Sequence, residues 1–305
     1  MSIVILKRVG EYNEADIQAI LAEMLNSANL LNKIKSGSRV LIKPNLLSAR
    51  NPNSAITTHP TVVSAVAKMV MESGAIPIIG DSPGGVAQRT KQVYSTTGIS
   101  QLAQKLSIET ISLEAKSAIE YKLPDGEILY VSRILDEIDC IINIPKLKTH
   151  SLVLTTFATK NLYGLVPGFR KSEYHKIYPT PTKFSWLIAE LYQRVKEKVI
   201  FSVLDGIIGM DGDGPSAGRV RKFGIIAVSD SCSAMDCAIE NLVGLSSHSP
   251  VVRELERRKL LPEFELNWFG EPIESIDDFK IPSNWLAHLA PSWLTRILGK
   301  LVQVK

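Results

Sequence analysis

The chain has 305 residues, of which 45% are hydrophobic and 22% charged, and it carries a formal net charge of +4 at pH 7. These values are ordinary for globular proteins and exclude a disordered chain, a collagen-like fibre and a coiled-coil rod. The net charge is also too small to indicate nucleic-acid binding by itself, so nucleic acid is not an expected partner.

Short apolar segments alternate along the chain with segments of helical periodicity. Strands are predicted at 3–6, 39–43, 75–80, 140–144, 199–204 and 224–229, and helices at 15–34, 61–73, 86–97, 184–198 and 233–243. Pro60 begins the second helix, with Thr58 or His59 as its cap, and Gly74 ends it. Two short apolar runs flank Pro-Asp-Gly within 121–131 and predict an antiparallel hairpin. The whole order predicts an α/β fold with a mainly parallel sheet and helices on both faces.

The pattern changes after residue 245, which predicts two parts. Residues 1–245 are interpreted as an α/β ligand-binding core, within which 147–198 form a basic insert. Residues 246–305 are interpreted as a C-terminal extension, and 285–301 place apolar side chains on one helical stripe. We expect this helix to dock on the core, with a partner protein or a membrane surface as alternatives.

The three cysteines, Cys140, Cys232 and Cys237, are predicted to be core thiols. Their odd number and wide spacing argue against a disulfide framework and suit a reducing compartment. No apolar run reaches the length of about 18 residues that indicates a membrane-spanning helix. The N-terminus also lacks the charge order of a secretory signal. We therefore expect a cytoplasmic location and no membrane partner.

Polar groups follow four of the predicted strands, at the edge where parallel sheets bind their ligands. They are Lys43 and Asn45, Asp81 and Ser82, the segment 145–150, and Asp205. We expect the binding site at this edge, the alternative being that these are ordinary turn residues. The segment 81–85 is also suited to hold an anion at the N-terminus of the helix predicted from residue 86.

The segment 145–150 is the most informative. If it is extended, Lys146, Lys148 and His150 point to the same side, because side chains alternate along a strand. Two ammonium groups and an imidazole on one face need an anionic counterpart, which a phosphate, a carboxylate or the nearby aspartates would supply. The alternative is a solvated edge. Lys160, which precedes Asn161 in a predicted helix, adds a further positive group.

Residues 205–218 hold five glycines and one proline, which favours a ligand-facing loop over a plain connection. Glycines let successive backbone N–H groups approach an anion, and Gly214 is a candidate for this role. The acidic residues of the same segment favour a hard cation instead, with Asp205 and Asp211 as its ligands. Both chemistries remain open at this point.

Several motifs together resemble the domain-of-unknown-function 362 family. They are VLIKPNLLS, THP, GDSPGG, IINIPKLKTH, TKNLYG and DGIIGMDGDGPSAG, spread over residues 38–245. Members of this family are often labelled iron–sulfur proteins, and many continue into a ferredoxin-like module with two four-cysteine clusters. The resemblance implies a redox setting in which a fused or separate ferredoxin supplies electrons. Any 4Fe–4S cluster would require such a module, because these 305 residues lack its cysteines.

The first functional hypothesis is an enzyme that acts on an anionic small molecule, with electrons from an iron–sulfur donor if the resemblance holds. The catalytic residues would be His150, Lys146 and Asp81. The residues that match family motifs and would bind the substrate are Lys43, Asn45, Ser82, Lys148, Lys160, Asn161 and Gly214. His150, or a lysine whose pKa its neighbours lower, would move a proton.

Two further classes stay open. One is a metal-dependent hydrolase or isomerase that uses Asp81, Asp205 and Asp211, with His150 as a further candidate and an unidentified divalent ion as its cofactor. The other is a non-catalytic module that senses a ligand or provides a docking platform for a redox partner. The sequence alone does not establish that the chain is an enzyme.

Overall fold

The computed structural model describes residues 1–83, 89–114, 117–245 and 248–285. The strands are β1 (Ser2–Arg8), β2 (Arg39–Pro44), β3 (Ile76–Asp81), β4 (Glu109–Ser112), β5 (Ala118–Lys122), β6 (Ile128–Ser132), β7 (Cys140–Ile144), β8 (Lys146–His150), β9 (Leu154–Thr156), β10 (Val199–Asp211), β11 (Arg219–Ser229) and β12 (Phe264–Trp268). The α-helices are α1 (Glu14–Ser27), α2 (Pro60–Glu72), α3 (Thr90–Thr96), α4 (Ile99–Leu106), α5 (Ala158–Asn161), α6 (Gly168–Ile177), α7 (Pro181–Val195), α8 (Cys232–Leu242) and α9 (Pro250–Arg257).

The central sheet has the strand order β12-β1-β11-β10-β7-β2-β3-β4. Strands β10, β7, β2, β3 and β4 are all parallel neighbours, whereas β11 is antiparallel to both β1 and β10. Strands β5 and β6 form a separate antiparallel hairpin, as predicted. The predicted α/β class with a mainly parallel sheet is therefore confirmed.

Two hydrophobic layers cover the two faces of the sheet. Alternate residues of one strand enter opposite layers: Leu41 belongs to the layer that includes α7 and α8, whereas Val40 and Ile42 belong to the layer that includes α1 and α2. This alternation follows from the pleat of a strand, and continuous apolar runs are typical of strands buried on both faces. The same pleat determines which polar side chains at the strand ends face the binding edge.

Helix α2 shows how local sequence fixes an element near that edge. The ring Nδ1 of His59 caps the helix by accepting a hydrogen bond from the Thr61 N–H at 3.2 Å, and Pro60 is the first helical residue. Gly74 follows the helix with a φ of 74°. The predicted cap and end of this helix are confirmed.

Three predicted elements differ from the structure or lie outside its described residues. The predicted loop 205–218 is wrong in its first half, because β10 continues to Asp211 and only the tip of a hairpin follows. The helix predicted from residue 86 is described only from Thr90, and residues 84–88 lie outside the description. The predicted C-terminal helix lies outside the described residues from 286 onwards.

The glycines of β10 pack strands together. A Cβ on Gly206 would lie 2.7 Å from the Ile225 side chain, and a Cβ on Gly209 would lie 2.6 Å from the carbonyl oxygen of Leu147. These distances are too short for any side chain, so the glycines let β8 and β11 approach β10 closely.

Strand β8 takes over from β7 as the parallel neighbour of β10. Asp205 pairs with Lys146 and Met210 pairs with Lys148, with a shift of register between the two pairs. The basic segment of β8 is therefore built into the sheet beyond the carboxyl ends of β2, β3 and β7. Farther along the chain, β12 pairs in parallel with β1 and forms the lateral edge of the sheet opposite β4.

Candidate functional site

A buried ion pair joins the carboxyl ends of β2 and β3. Lys43 Nζ lies 2.8 Å from Asp81 Oδ1, and the other carboxylate oxygen of Asp81 accepts a hydrogen bond from the Leu46 N–H at 2.8 Å. Lys43 is fully buried and Asp81 is 4% exposed. Gly164 packs directly over the pair, since any Cβ at this position would overlap Asp81 Oδ1 and Lys43 Nζ. The charge of Asp81 is therefore already compensated inside the protein.

A second buried ion pair joins β8 to β10. Lys146 Nζ lies 2.8 Å from Asp205 Oδ2, and the hydroxyl of Tyr12 donates to Asp205 Oδ1 at 2.7 Å. The N–H of His59 also donates to this carboxylate at 2.8 Å. Burial lowers the pKa of Lys146, while Asp205 opposes that shift. Both side chains are fully buried and neither lines the cavity described below, so this ion pair lies behind the site.

Three asparagine side chains connect β2, β7 and α5. Asn45 Nδ2 donates to Asn161 Oδ1 at 2.9 Å, and Asn161 Nδ2 donates to Asn143 Oδ1 at 2.8 Å. The Oδ1 of Asn45 accepts a hydrogen bond from Lys148 Nζ at 2.8 Å. A chain of satisfied polar groups of this kind fixes side-chain positions, so Lys148 is held rigidly relative to the strand ends.

A cavity of about 210 Å³ lies beside these groups, and we call it the lysine cavity. It is lined by Asn45, Leu46, Leu47, Asp81, Ser82, Lys148, His150, Thr156, Lys160, Asn161, Tyr163, Gly164, Gly168, Lys171, Ser172, His175 and Pro215. Three of these residues are lysines, and they come from β8, α5 and α6. Asp81 is the single carboxylate among the lining residues, and it is paired with Lys43.

The pKa of each cavity lysine lies well below the usual value of a lysine. Burial, reinforced by the positive charges of Lys160 and Lys146, lowers the pKa of Lys148 to about 7. Burial, reinforced by Lys171 and Lys43, lowers the pKa of Lys160 to about 7. Burial also lowers the pKa of Lys171 to about 8, although Asp81 acts in the opposite direction. The protein thus holds amines that change protonation near neutral pH.

The three lysines differ in their partners. Lys148 Nζ donates to Asn45 Oδ1 at 2.8 Å and to the carbonyl oxygen of Ile56 at 2.5 Å. Lys171 Nζ donates to the carbonyl oxygen of Ser82. Among the described residues, Lys160 Nζ has neither a hydrogen-bond acceptor nor a carboxylate partner, and it lies 4.5 Å from the ring centre of Tyr163. Lys160 is therefore the least constrained amine of the cavity.

The two cavity histidines are neutral near pH 7. Burial and the neighbouring Lys160 hold the pKa of His150 well below its usual value. His150 Nδ1 accepts a hydrogen bond from the Leu152 N–H at 3.1 Å, so in the neutral ring the proton is on Nε2. The ring of His175 stacks on Phe184 at 4.4 Å, and burial lowers its pKa to about 4. His150 can therefore donate a hydrogen bond near neutral pH.

The structure brings most of the predicted site residues to this cavity. Those that line it are Asn45, Asp81, Ser82, Lys148, His150, Lys160 and Asn161. Lys43, Lys146 and Asp205 are buried in the two ion pairs. Gly214 lies next to the cavity, because its N–H donates to Thr149 Oγ1 at 3.2 Å and the following Pro215 lines the wall.

Sequence reasoning missed several lining residues. Lys171 and His175 lie on α6, where the sequence showed only a basic segment, and Gly168 begins the same helix. Thr156 is 4% exposed and lines the cavity, yet its hydroxyl has no hydrogen-bond partner in the described part of the chain. The spacing of Lys171 and His175 by four residues, which places both on one helix face, was the signal available in the sequence.

The two predicted metal ligands have cationic partners. Asp205 is paired with Lys146, and Asp211 accepts hydrogen bonds from Arg219 at 2.9 and 2.7 Å and from Arg221 at 3.2 Å. Burial favours a higher pKa for Asp211, but these hydrogen bonds and that of the Lys280 N–H hold its pKa below the usual value. Across 1–83, 89–114, 117–245 and 248–285, no three His, Cys, Asp or Glu side chains form a group suited to a metal.

The cysteines do not fit an iron–sulfur cluster. Cys140, Cys232 and Cys237 are free and buried, on β7 and on two different turns of α8. Burial raises the pKa of Cys232 to about 12 and that of Cys140 and Cys237 to about 11. A cluster requires thiolates gathered in one place, and these thiols are separate and protonated.

Fold and cavity together define an α/β protein with a cationic ligand-sized cavity at the carboxyl edge of its sheet. The chain belongs to the family described as Domain of unknown function (DUF362), whose model matches residues 40–240. It is also 32% identical over 285 residues to a thylakoid-associated protein of Synechocystis sp., covering 91% of this chain and 87% of that relative. In the described ranges, no helix combines the length and apolar character needed to cross a bilayer.

Proposed function

We propose that the protein is an enzyme that binds a small anionic molecule in the lysine cavity through a phosphate or carboxylate group. The observation that carries the proposal is the position of Lys160. Its amine lines the cavity next to two further lysines, and it forms no ion pair with a carboxylate of the described residues, although the more distant Asp81 partly offsets the neighbouring positive charges. Buried cations without partners are costly, so such a cluster favours a negatively charged ligand.

The balance of charges around the cavity supports this proposal. Asp81 is paired with Lys43, and Glu114, which accepts a hydrogen bond from Ser82 at 3.1 Å, contributes negative charge near Lys171. At least two amines, those of Lys148 and Lys160, thus remain for an incoming anion. Two opposite charges about 4 Å apart attract each other by about 4 kcal/mol at the effective dielectric constant of a partly buried site.

The same groups supply acid–base chemistry. Lys148 and Lys160, with pKa values of about 7, can release or take up a proton near neutral pH. His150, protonated on Nε2, would donate a hydrogen bond to an oxygen atom of the ligand.

The iron–sulfur-linked reduction implied by the family resemblance would need a separate electron donor and stays a prediction. We propose a reducing, cytoplasmic setting, in line with the free thiols.

The test is isothermal titration calorimetry of the full chain with inorganic phosphate and with citrate, at constant ionic strength. We expect binding to the native protein and at least a tenfold loss of affinity in Lys160→Met and in Lys148→Met. Lys176→Met is the matched control, because Lys176 is an exposed lysine on α6 outside the cavity. Equal affinity in Lys160→Met and Lys176→Met would refute the assignment of the site.

A further inference from the structure

We propose that Lys160 is a nucleophile that forms a Schiff base with the carbonyl group of an anionic small molecule, such as a 2-oxo acid or a triose phosphate. This inference rests on the proposed function and deepens it, because it names the class of substrate and the residue that reacts. Helix α5 sets the position of Lys160 in the cavity.

The hydrogen bonds of the cavity lysines single out Lys160. Lys148 is fixed by two acceptors and Lys171 by the carbonyl oxygen of Ser82. Lys160 has no hydrogen-bond acceptor among the described residues, and its Nζ lies 4.5 Å from the ring centre of Tyr163 and 5.3 Å from that of Phe184. An aromatic face attracts the protonated form of a lysine. It forms no hydrogen bond that would occupy the lone pair when the amine is neutral. Lys160 can therefore turn its nitrogen towards a carbonyl carbon while the other two lysines bind the anionic group.

Helix α5 is held so that Lys160 faces the cavity. The carboxylate of Asp236, on α8, accepts hydrogen bonds from the N–H groups of Ala158 at 2.6 Å and Thr159 at 3.0 Å. At the other end of the helix, Asn161 Nδ2 donates to the carbonyl oxygen of Lys43 at 3.3 Å. The residues on both sides of Lys160 are thus anchored by hydrogen bonds to other elements, which fixes the point from which its side chain reaches the cavity.

Other groups of the cavity suit the carbonyl oxygen. The hydroxyl of Thr156 is buried without a partner among the described residues and lines the cavity. His150 carries its proton on Nε2. A volume of about 210 Å³ is below the roughly 300–1,000 Å³ of sites for drug-sized ligands, which favours a keto acid or triose phosphate over a nucleotide.

The chemistry balances without an oxidant or a reductant. The neutral amine of Lys160 adds to the carbonyl carbon, so that the C–N bond forms, the C=O π bond breaks and one proton moves from the nitrogen to the oxygen. The ammonium group of Lys148 or Lys171 then gives a proton to the hydroxyl group of the carbinolamine, the C–O bond breaks and one water molecule leaves. The product is a protonated C=N bond that keeps the second proton of the amine, and the lysine that gave the proton becomes neutral.

The lowered pKa of Lys160 supports this role. A lysine of ordinary pKa is neutral in only about one molecule in three thousand near pH 7, whereas an amine with a pKa of about 7 is neutral in about half. Burial and neighbouring cations are a known physical route to reactive lysines. The same environment that attracts the anion thus prepares the amine to react with it.

The test traps the imine by reduction. The full chain is incubated with pyruvate or with dihydroxyacetone phosphate, treated with borohydride, digested and analysed by mass spectrometry. We expect an adduct on Lys160 in the native protein and in Lys176→Arg, suppression of this adduct by excess phosphate, and its loss in Lys160→Arg. Thermal unfolding of Lys160→Arg checks that this variant is folded, and Lys148→Met provides a second variant in which the adduct should fall at least tenfold.

Parallel calorimetry with phosphate separates the two proposals. If phosphate binds to the native protein but neither probe leaves an adduct on Lys160, the Schiff base is refuted and the anion site stands. If the native protein gives neither phosphate binding nor an adduct, both proposals are refuted. Labelling of Lys160 no stronger than that of the exposed Lys176 would also overturn the nucleophile assignment.

Discussion

The lowered pKa of Lys148 has a measurable consequence for stability, and the variant Lys148→Met tests it. Lys148 is 1% exposed, and its pKa falls from 10.5 in the unfolded chain to about 7 in the folded protein. Between these two values the unfolded chain binds more protons than the folded one. Stability therefore rises with pH across this window, by about 1.4 kcal/mol per pH unit for this one lysine.

The magnitude follows from the same shift. A difference of about 3.5 pKa units corresponds to about 5 kcal/mol, which is the order of magnitude of the destabilisation that Lys148 causes at and below pH 7. Methionine removes this effect but leaves Asn45 Oδ1 and the carbonyl oxygen of Ile56 without their donor, at a cost of about 1–3 kcal/mol each. At pH 7 we therefore expect Lys148→Met to lie between about 1 kcal/mol less stable and about 3 kcal/mol more stable than the native protein.

The assay is urea unfolding of the native protein, Lys148→Met and the exposed-lysine control Lys176→Met at several values between pH 7 and pH 9. The free energy of unfolding of the native protein and of Lys176→Met should rise more steeply with pH than that of Lys148→Met, by about 1.4 kcal/mol per unit. Parallel curves for all three proteins would show that Lys148 keeps an ordinary pKa, and the reasoning would be refuted.

Three further outcomes are expected. Phosphate affinity should fall above pH 7, by up to about tenfold per pH unit for each lysine that must be protonated, and a pH-independent affinity in calorimetry would contradict this. Asp205→Asn leaves the fully buried Lys146 without its counter-ion and should lower the free energy of unfolding by about 3–5 kcal/mol in urea titrations; a loss below about 1 kcal/mol would argue against the pair. Gly164→Ala should force apart the Lys43–Asp81 ion pair and lower the melting temperature. Gly10→Ala is the control, because a Cβ at Gly10 meets no close neighbour, and it should not lower the melting temperature. Equal melting temperatures for the two variants would disprove this packing.

The parallel core of the fold was predictable because its signals are local. Continuous apolar runs such as that around Leu41 mark strands buried on both faces, and the His59-Pro60 cap marks the beginning of α2. The extension of β10 was not predictable in this way. Gly206 and Gly209 resemble loop glycines in sequence, and only their contacts with Ile225 and Leu147 show that they permit close packing of strands.

The site was predictable where the strands themselves provide it. Asp81 ends β3, and Lys148 lies in the segment that follows β7, so the rule that ligands bind at the carboxyl edge predicted that they lie together. The roles of individual lysines were not predictable, because Lys146 and Lys148 share a strand but bind different acceptors. Lys146 is paired with Asp205, and this pairing depends on the register of β8 on β10, which periodicity does not reveal.

The hairpin tip between β10 and β11 connects the cavity to a distant part of the chain. Pro215 lines the cavity, and nearby Asp213 Oδ1 accepts hydrogen bonds from the N–H and the hydroxyl of Ser283, at 2.6 and 2.8 Å. Ser2 begins β1, which runs in the same direction as β10. It therefore lies near the amino ends of the parallel strands, at the end of the sheet away from the cavity. Attaching the molecule to a sensor chip near Ser2 would leave the cavity facing the flowing solution, whereas attachment near Ser283 would pull on the segment that supports its wall.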